Sequence, residues 1–359
     1  MLLATLLRRD RNNLDLFRLI AACMVIVAHA YPLSGAAQGD WVLKLLGHDN
    51  AGSLAVKLFF FLSGLVVTTS LLNKGNPLRF ILARIFRIWP AMSVTILLCA
   101  LILGPSASTL PLREYLSDPL SYRYIFNNLA LSTSYPLPGV FANNPYPSVV
   151  NGSLWTIPFE VAAYAILLGA FVLGIFRWKL VPLLLFPLIL VDPLLETPIV
   201  FTWLPDNHHV TMLAPCFAFG ALLATYREKI VINLPVTIAV WVLYVVLGRS
   251  TSVEFYFLYF ALFLTVLYLS ALPIAVRAKP PVDISFGVYL WAFPVQQLIA
   301  SHYSDYGVFF NQMVALLICM PLGLLSWKLV EAPSIALGAR LARRPRVAVR
   351  HPTVRRSDG

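Results

Sequence analysis

Charge is scarce in this chain. Asp, Glu, Lys and Arg make up only 12% of its 359 residues, and 59% are hydrophobic. A soluble domain averages about 25% charged residues, so the shortage argues against a soluble enzyme and for a membrane-embedded chain. Cysteine is also rare. Cys23, Cys99, Cys216 and Cys319 all fall inside apolar runs without metal spacing and read as packing residues. Four of the six histidines, His48, His208, His209 and His302, fall in loops with no ligand spacing, so no metal site is expected. Acidic residues are outnumbered, giving a net charge of +11. That balance could suggest nucleic acid, but the positive residues sit in short loops and the tail. Membrane topology explains them better, and no nucleic-acid partner is expected. There is no internal repeat and no separate soluble domain.

What is present is a series of apolar stretches long enough to cross about 30 Å of hydrocarbon. They fall near 14–31, 53–72, 88–104, 153–175, 180–195, 211–226, 230–248, 253–273, 284–300 and 308–330. Lys and Arg alternate between the connections. The N-terminus has Arg8, Arg9 and Arg11, and the even loops have Lys74, Arg79, Arg84 and Arg87, then Arg177 and Lys179, Arg227 and Lys229, Arg277 and Lys279. The odd loops have few: Lys44, then Arg113 and Arg123 in a long third loop, none in the fifth (which holds Glu196 and Asp206), Arg249, and none in the ninth. The expected fold is therefore an all-α integral membrane bundle of about ten transmembrane helices, with both termini cytoplasmic. The membrane domain covers 1–335. Residues 336–359 form a basic cytoplasmic tail expected to be disordered or attached to anionic lipid. The first stretch also resembles a secretory signal, with Ala28-His29-Ala30 as a cleavage site. Its leader is long, and the stretch suits a retained anchor better.

That first stretch, LDLFRLIAACMVIVAHAY at 14–31, carries two residues that are costly in a membrane, Arg18 and His29. Eleven steps of about 100° return close to three full turns, so both lie on one helix face, about 16 Å apart along the axis. Asp15 is three residues before Arg18 and could pair with it. Such a stripe faces protein or water rather than lipid. Counting depth from the helix ends puts His29, Lys57 and Glu160 at one level, and Arg18, Arg84 and Arg87 at the opposite one.

Each of these residues also has a plainer explanation. Lys57 can snorkel to the outer interface, which is its favoured role. Arg79, Arg84 and Arg87 can be positive-inside residues, although Arg84 and Arg87, at i and i+3, share a face that could grip phosphates. Trp155 suits the interface belt better than a substrate platform. Ser153 suits an N-cap. Asn151-Gly152-Ser153 matches a glycosylation sequon. Ser63-Gly64 in FFFLSGL permits close helix packing. Asp283 suits a helix cap, and Lys328 and Glu331 a membrane boundary. Glu160 lies too deep to reach water easily, so a partner or a cavity is expected beside it.

Five stretches together resemble the acyltransferase-3 family of integral membrane acyltransferases. LDLFRLIAACMVIVAH looks like its Arg-x10-His signature at Arg18 and His29, and AVKLFFFLSGLVV resembles its second-helix segment. RFILARIFRIWPAM matches at Arg84, Arg87 and Pro90, and NGSLWTIPFEVAAY at Trp155 and Glu160. ISFGVYLWAFPV and LSWKLVEAP match the closing helices at Tyr289, Pro294 and Glu331. One departure is Ala292, where many members carry histidine.

The resemblance implies transfer of an acyl group, usually acetyl, from cytosolic acyl-CoA to a hydroxyl of a cell-surface carbohydrate or lipid-linked glycan. The location it implies is a bacterial inner membrane, with membrane lipids as partners. Acyl-CoA is a donor substrate, and no permanently bound cofactor is expected. His29 is then the general base or a transient acyl carrier. Glu160 orients it, and Arg84, Arg87 and Arg18 hold the donor phosphates. Asp15, Trp155, Tyr289 and Lys57 complete the expected binding set. From the residues alone, a transporter or flippase of a glycolipid or small anion fits the polar stripe equally well, and a scaffold in a polysaccharide export complex is a third reading.

Overall fold

The computed structural model describes residues 1–178, 180–195, 199, 202, 207–246 and 253–343. Lys179, Glu196, Asp206, Arg249, the side chain of His208 and the tail from Arg344 onward lie outside the described residues. Among the described residues the regular secondary structure is helical, with two isolated backbone bridges, Leu2–Val231 and Ser108–Val140, in the connections. Helices stand at all ten apolar positions: α1 Leu14–Leu33, α2 Ala51–Lys74, α3 Pro77–Leu98, α4 Thr156–Val172, α5 Leu180–Val191, α6 Leu213–Thr225, α7 Leu234–Val246, α8 Glu254–Ser270, α9 Ser285–Tyr303 and α10 Gly307–Ser326.

Five helical stretches are long and apolar enough to cross a membrane: 14–33, 51–74, 77–107, 152–172 and 285–341. The last turns back at Gly307, so α9 and α10 run antiparallel, with Gln296 bonded to Asn311 and Gly287 packed on Gly323. Helices α5 to α8 are apolar but shorter.

Asparagine starts the first three long helices. The side chains of Asn13, Asn50 and Asn76 accept from the backbone N–H of Leu16, Ser53 and Arg79 at 3.0, 2.7 and 2.9 Å, satisfying donors that a helix start leaves unpaired. Gly75 closes α2 at φ +59°, where a side chain would be strained.

The most buried of the five membrane-length stretches is α2. Its Gly64 lies against the Phe217 carbonyl of α6, and Gly220 of α6 lies against the Phe61 carbonyl of α2. A Cβ on either glycine would collide with backbone, so the pair brings two helix backbones into contact. This is the close packing expected of Ser63-Gly64.

The long third loop is folded. It carries helices over Leu112–Ser117 and Pro119–Leu129. Tyr115 and Tyr124 are fully buried, and the Tyr115 hydroxyl donates to the Ala100 carbonyl at 2.6 Å. Burial pushes the Tyr115 phenol up to about 12. The far end of the loop is tied to α9, because Gln297 donates to the carbonyls of Tyr146 and Val149, each at 2.7 Å.

After α10 a π turn over Trp327–Glu331 leads into α11, Ala332–Leu341. Gly338 of α11 packs on Phe86 of α3. The boundary expected at 335 therefore falls inside a helix that rests on the bundle.

Candidate active site

Two of the cavities in the bundle are lined by ionisable residues, while a third, of about 240 Å³ between α4, α5 and α6, has an almost wholly apolar lining. The smaller of the two, about 200 Å³, lies between α2, α3, α4 and α9 and is lined by Arg18, Arg84, Arg87, Glu160, Ser63 and Tyr164, among others. Arg87 is fully engaged. It reaches Glu331 at 2.5 Å and Asp283 at 3.1 Å, and its guanidinium lies over the rings of Phe286 and Trp327. Arg18 approaches the same Asp283 carboxylate at 3.6 Å. Burial pushes the Asp283 carboxyl up, but the charges of Arg87 and Arg18 outweigh it and hold the group below its ordinary value. Arg84 differs. It rests on the Tyr164 ring at 5.5 Å and has no carboxylate partner among the described residues. It is the cation of this cavity left available to an anion.

The pairing of Arg18 with Asp15 is not found. Asp15 instead faces Lys279 at 3.7 Å. Asp283, in the segment leading into α9, is aimed at Arg18 from a neighbouring element and displaces the local partner. Asp283 stands one residue before Ile284, the N-cap of α9, and accepts from the Ser285 N–H at 3.1 Å and from its hydroxyl at 2.5 Å.

The larger cavity, about 670 Å³, holds His29 on its wall. The half-buried imidazole meets the Phe293 ring edge-on at 5.1 Å, and its buried Nδ1 has no hydrogen-bond partner among the described residues. Trp155, Ser53 and His209 also line this space, and the third loop supplies Leu131, Thr133 and Tyr135. Leu131 holds a left-handed φ of 64°, uncommon for a side chain of its size. The loop is thus a wall of the cavity as well as a cover.

Glu160 is not brought to His29. It lines the arginine cavity, accepting from the Tyr164 hydroxyl and, at 3.3 Å, from the Ser63 hydroxyl. The depth count fails because α4 is preceded by a 3-10 turn that begins deep inside the protein. Asn151, at its start, is fully buried and donates to the Leu290 carbonyl at 3.0 Å. The helix therefore begins below the surface, and Glu160 lies lower than the count implies. Asn151 also takes the capping role expected of Ser153, accepting from the Ser153 N–H at 3.0 Å, while the Ser153 hydroxyl is buried without a partner among the described residues. The sequon asparagine is sealed in the core.

Lys57 does not snorkel. It is fully buried and bonds to Asp49 and Ser53, each at 2.7 Å, beneath the Tyr259 ring. Asp49 is also bonded by Ser53 and Tyr259, with His209 at 3.4 Å. Because α2 is enclosed by its neighbours, Lys57 has no route to an interface, and an acid is brought to it instead.

Among the described residues, only Val56 and Tyr289 line both of these cavities. The Tyr289 hydroxyl donates to the Ser153 carbonyl at 2.8 Å and shares a 2.7 Å hydrogen bond with Thr156. Asp283 and Glu331, which sequence reasoning left as a cap and a boundary, prove to be the anchors of Arg87 and Arg18. Their signal was available: the density of arginines at one level requires counter-charge.

The sequence profile described as an acyltransferase domain matches residues 11–329, nearly the whole chain. The chain belongs to the acyltransferase-3 family. This acyltransferase is 28% identical over 338 residues to an O-acetyl transferase of Shigella phage Sf6, covering 89% of this chain and 95% of that protein. It is 32% identical over 180 residues to nodulation protein 10 of Rhizobium leguminosarum bv. viciae, covering 47% of this chain and 46% of that one. No solved structure matches. The acyltransferase is an enzyme and, with its membrane-length apolar helices, a multi-pass membrane protein. Its Ala292, where many family members carry histidine, is fully buried in the apolar cluster that includes Ala22 and Ile26 of α1.

Proposed function

We propose that this acyltransferase moves an acyl group, acetyl foremost, from cytosolic acyl-CoA to a hydroxyl of a cell-surface carbohydrate or glycolipid precursor. It does so across a bacterial inner membrane, with ten spans and both termini in the cytoplasm. The observation that carries this reading is the pair of adjoining cavities, one with the unpaired cation Arg84 and the other with the unpartnered His29 Nδ1. Arg84 meets donor phosphate by charge-assisted hydrogen bonds. Asp283 and Glu331 hold Arg87 and Arg18 in place around the donor arm. His29 takes the proton of the acceptor hydroxyl as its oxygen attacks the thioester carbon. The C–O bond forms, the C–S bond breaks, and the proton passes to the departing thiolate. A transient acyl group on the imidazole is the two-step form of the same transfer. Trp155 and Tyr135 offer aromatic faces to a sugar ring.

The test is acyl transfer by full-length protein in lipid vesicles, with labelled acetyl-CoA. His29→Ala is expected to abolish label on the acceptor while donor binding persists. Arg84→Ala is expected to raise KM for acetyl-CoA about ten- to hundredfold, the loss of one charge-assisted hydrogen bond. Wild-type transfer by His29→Ala would overturn the assignment of the base.

A further inference from the structure

Val56 of α2 and Tyr289 of α9 are the two residues common to both cavities, and so form the septum between them. Neither is loosely held. Val56 and Tyr289 are 8% and 7% exposed, and the Tyr289 ring meets Phe59 edge-on at 5.9 Å. The Tyr289 hydroxyl is tethered to Ser153 and Thr156 at the start of α4, so three elements fix the position of one ring. His29 lies just beyond. Its ring packs on Phe293, one turn past Tyr289 on the same face of α9, about 6 Å further along the axis. A thioester entering from the arginine cavity must cross this septum to reach His29.

The part of the donor that follows the acyl group through is an unbranched chain, the thiol-bearing end of the pantetheine arm. An opening that takes the arm also takes a straight acyl chain. A substituent on the carbon next to the carbonyl makes the group wider than the arm. We propose that Val56 and Tyr289 select the acyl group by its width and reject acyl groups branched beside the carbonyl. This inference rests on the donor reading given above. Val56 supplies an aliphatic side of the opening and Tyr289 an aromatic one, and the Ser153 and Thr156 tethers hold the ring in place. The selectivity lies in the wall between the cavities, since the His29 cavity itself has ample room.

Purified full-length wild type, Val56→Ala and Val56→Ile in lipid vesicles are compared with acetyl-, butyryl- and isobutyryl-CoA, two of which are isomers differing only in branching. Wild type is expected to use butyryl-CoA at least tenfold better than isobutyryl-CoA in kcat/KM, the scale on which a pocket resolves one misplaced methyl group. Val56→Ala is expected to bring the two within about threefold of each other, and Val56→Ile to widen the gap. An equal preference for the two isomers in wild type overturns the proposal, as does rejection of both. A ratio unchanged in whichever variant folds also overturns it, and Val56→Ile serves if Val56→Ala is lost to misfolding. A wild type that transfers from no acyl-CoA, acetyl-CoA included, gives a different result. It removes the donor reading, and the septum's role falls with it.

Discussion

At the scale of the residue, the contrast between Lys57 and Arg84 separates structure from chemistry. Both are cations in an apolar bundle. Lys57 is saturated by Asp49 and Ser53, whereas Arg84 has an aromatic face and no acid. Removing one member of a buried pair strands the other, at a cost of roughly 3–5 kcal/mol. Lys57→Met is therefore expected to lower the melting temperature in detergent sharply, and Lys57→Met with Asp49→Leu to recover most of the loss. Burial pushes the Asp49 carboxyl up, but its bond with His209 and the charge of Lys57 outweigh this and hold it well below the ordinary range. An acid depressed on folding adds stability above its unfolded pKa, near 4, and that stability is lost as the pH falls further. The pair thus contributes in full at neutral pH and weakens only in strong acid. The sequence made the ionisable residues of the site legible, because each is costly in a membrane. It did not disclose their partners. Asp15 is near Arg18 in the chain, yet Asp283, 265 positions later, is the acid that meets it.

At the scale of the element, the helices follow from composition and the asparagine caps, and all ten apolar stretches became helices. Their depths were less legible. Counting from the start of α4 assumes that the start lies at a surface, and the buried Asn151 breaks that assumption. The glycine contacts between α2 and α6 hold the core pair at backbone distance. Gly220→Val would force the Phe61 carbonyl and its helix outward. An expected loss of about 1–3 kcal/mol, the usual cost of overpacking, is checked by thermal unfolding in detergent. Activity is expected to fall with it, because Val56 and Ser63 ride on the same α2 that carries Phe61.

At the scale of the molecule, the arrangement proposed here has ten spans with both ends on one side. Cysteine-accessibility labelling in sealed vesicles checks it on a background in which the four native cysteines are replaced. Cysteines placed at Arg8 and Arg343 are expected to react on the same side, and one placed at Tyr122 in the third loop on the other. The charge alternation is the ground on which this topology is proposed, while the division of the interior into separate cavities was not legible in the sequence, since it depends on which side chains meet across helices distant in sequence. The septum of Val56 and Tyr289 has a consequence for the membrane itself. In the proposed topology the two cavities enter from opposite faces and, if joined and filled with water, would let ions run down their gradients. On that reading a closed septum thins the insulating layer from the whole bilayer to a few side chains, and the membrane voltage would fall mostly across them. Each unit charge crossing that short barrier exchanges about 2.3 kcal/mol with the field for every 100 mV, so a transfer that passes a neutral acyl group is indifferent to the voltage, and one that moves a proton with it is not.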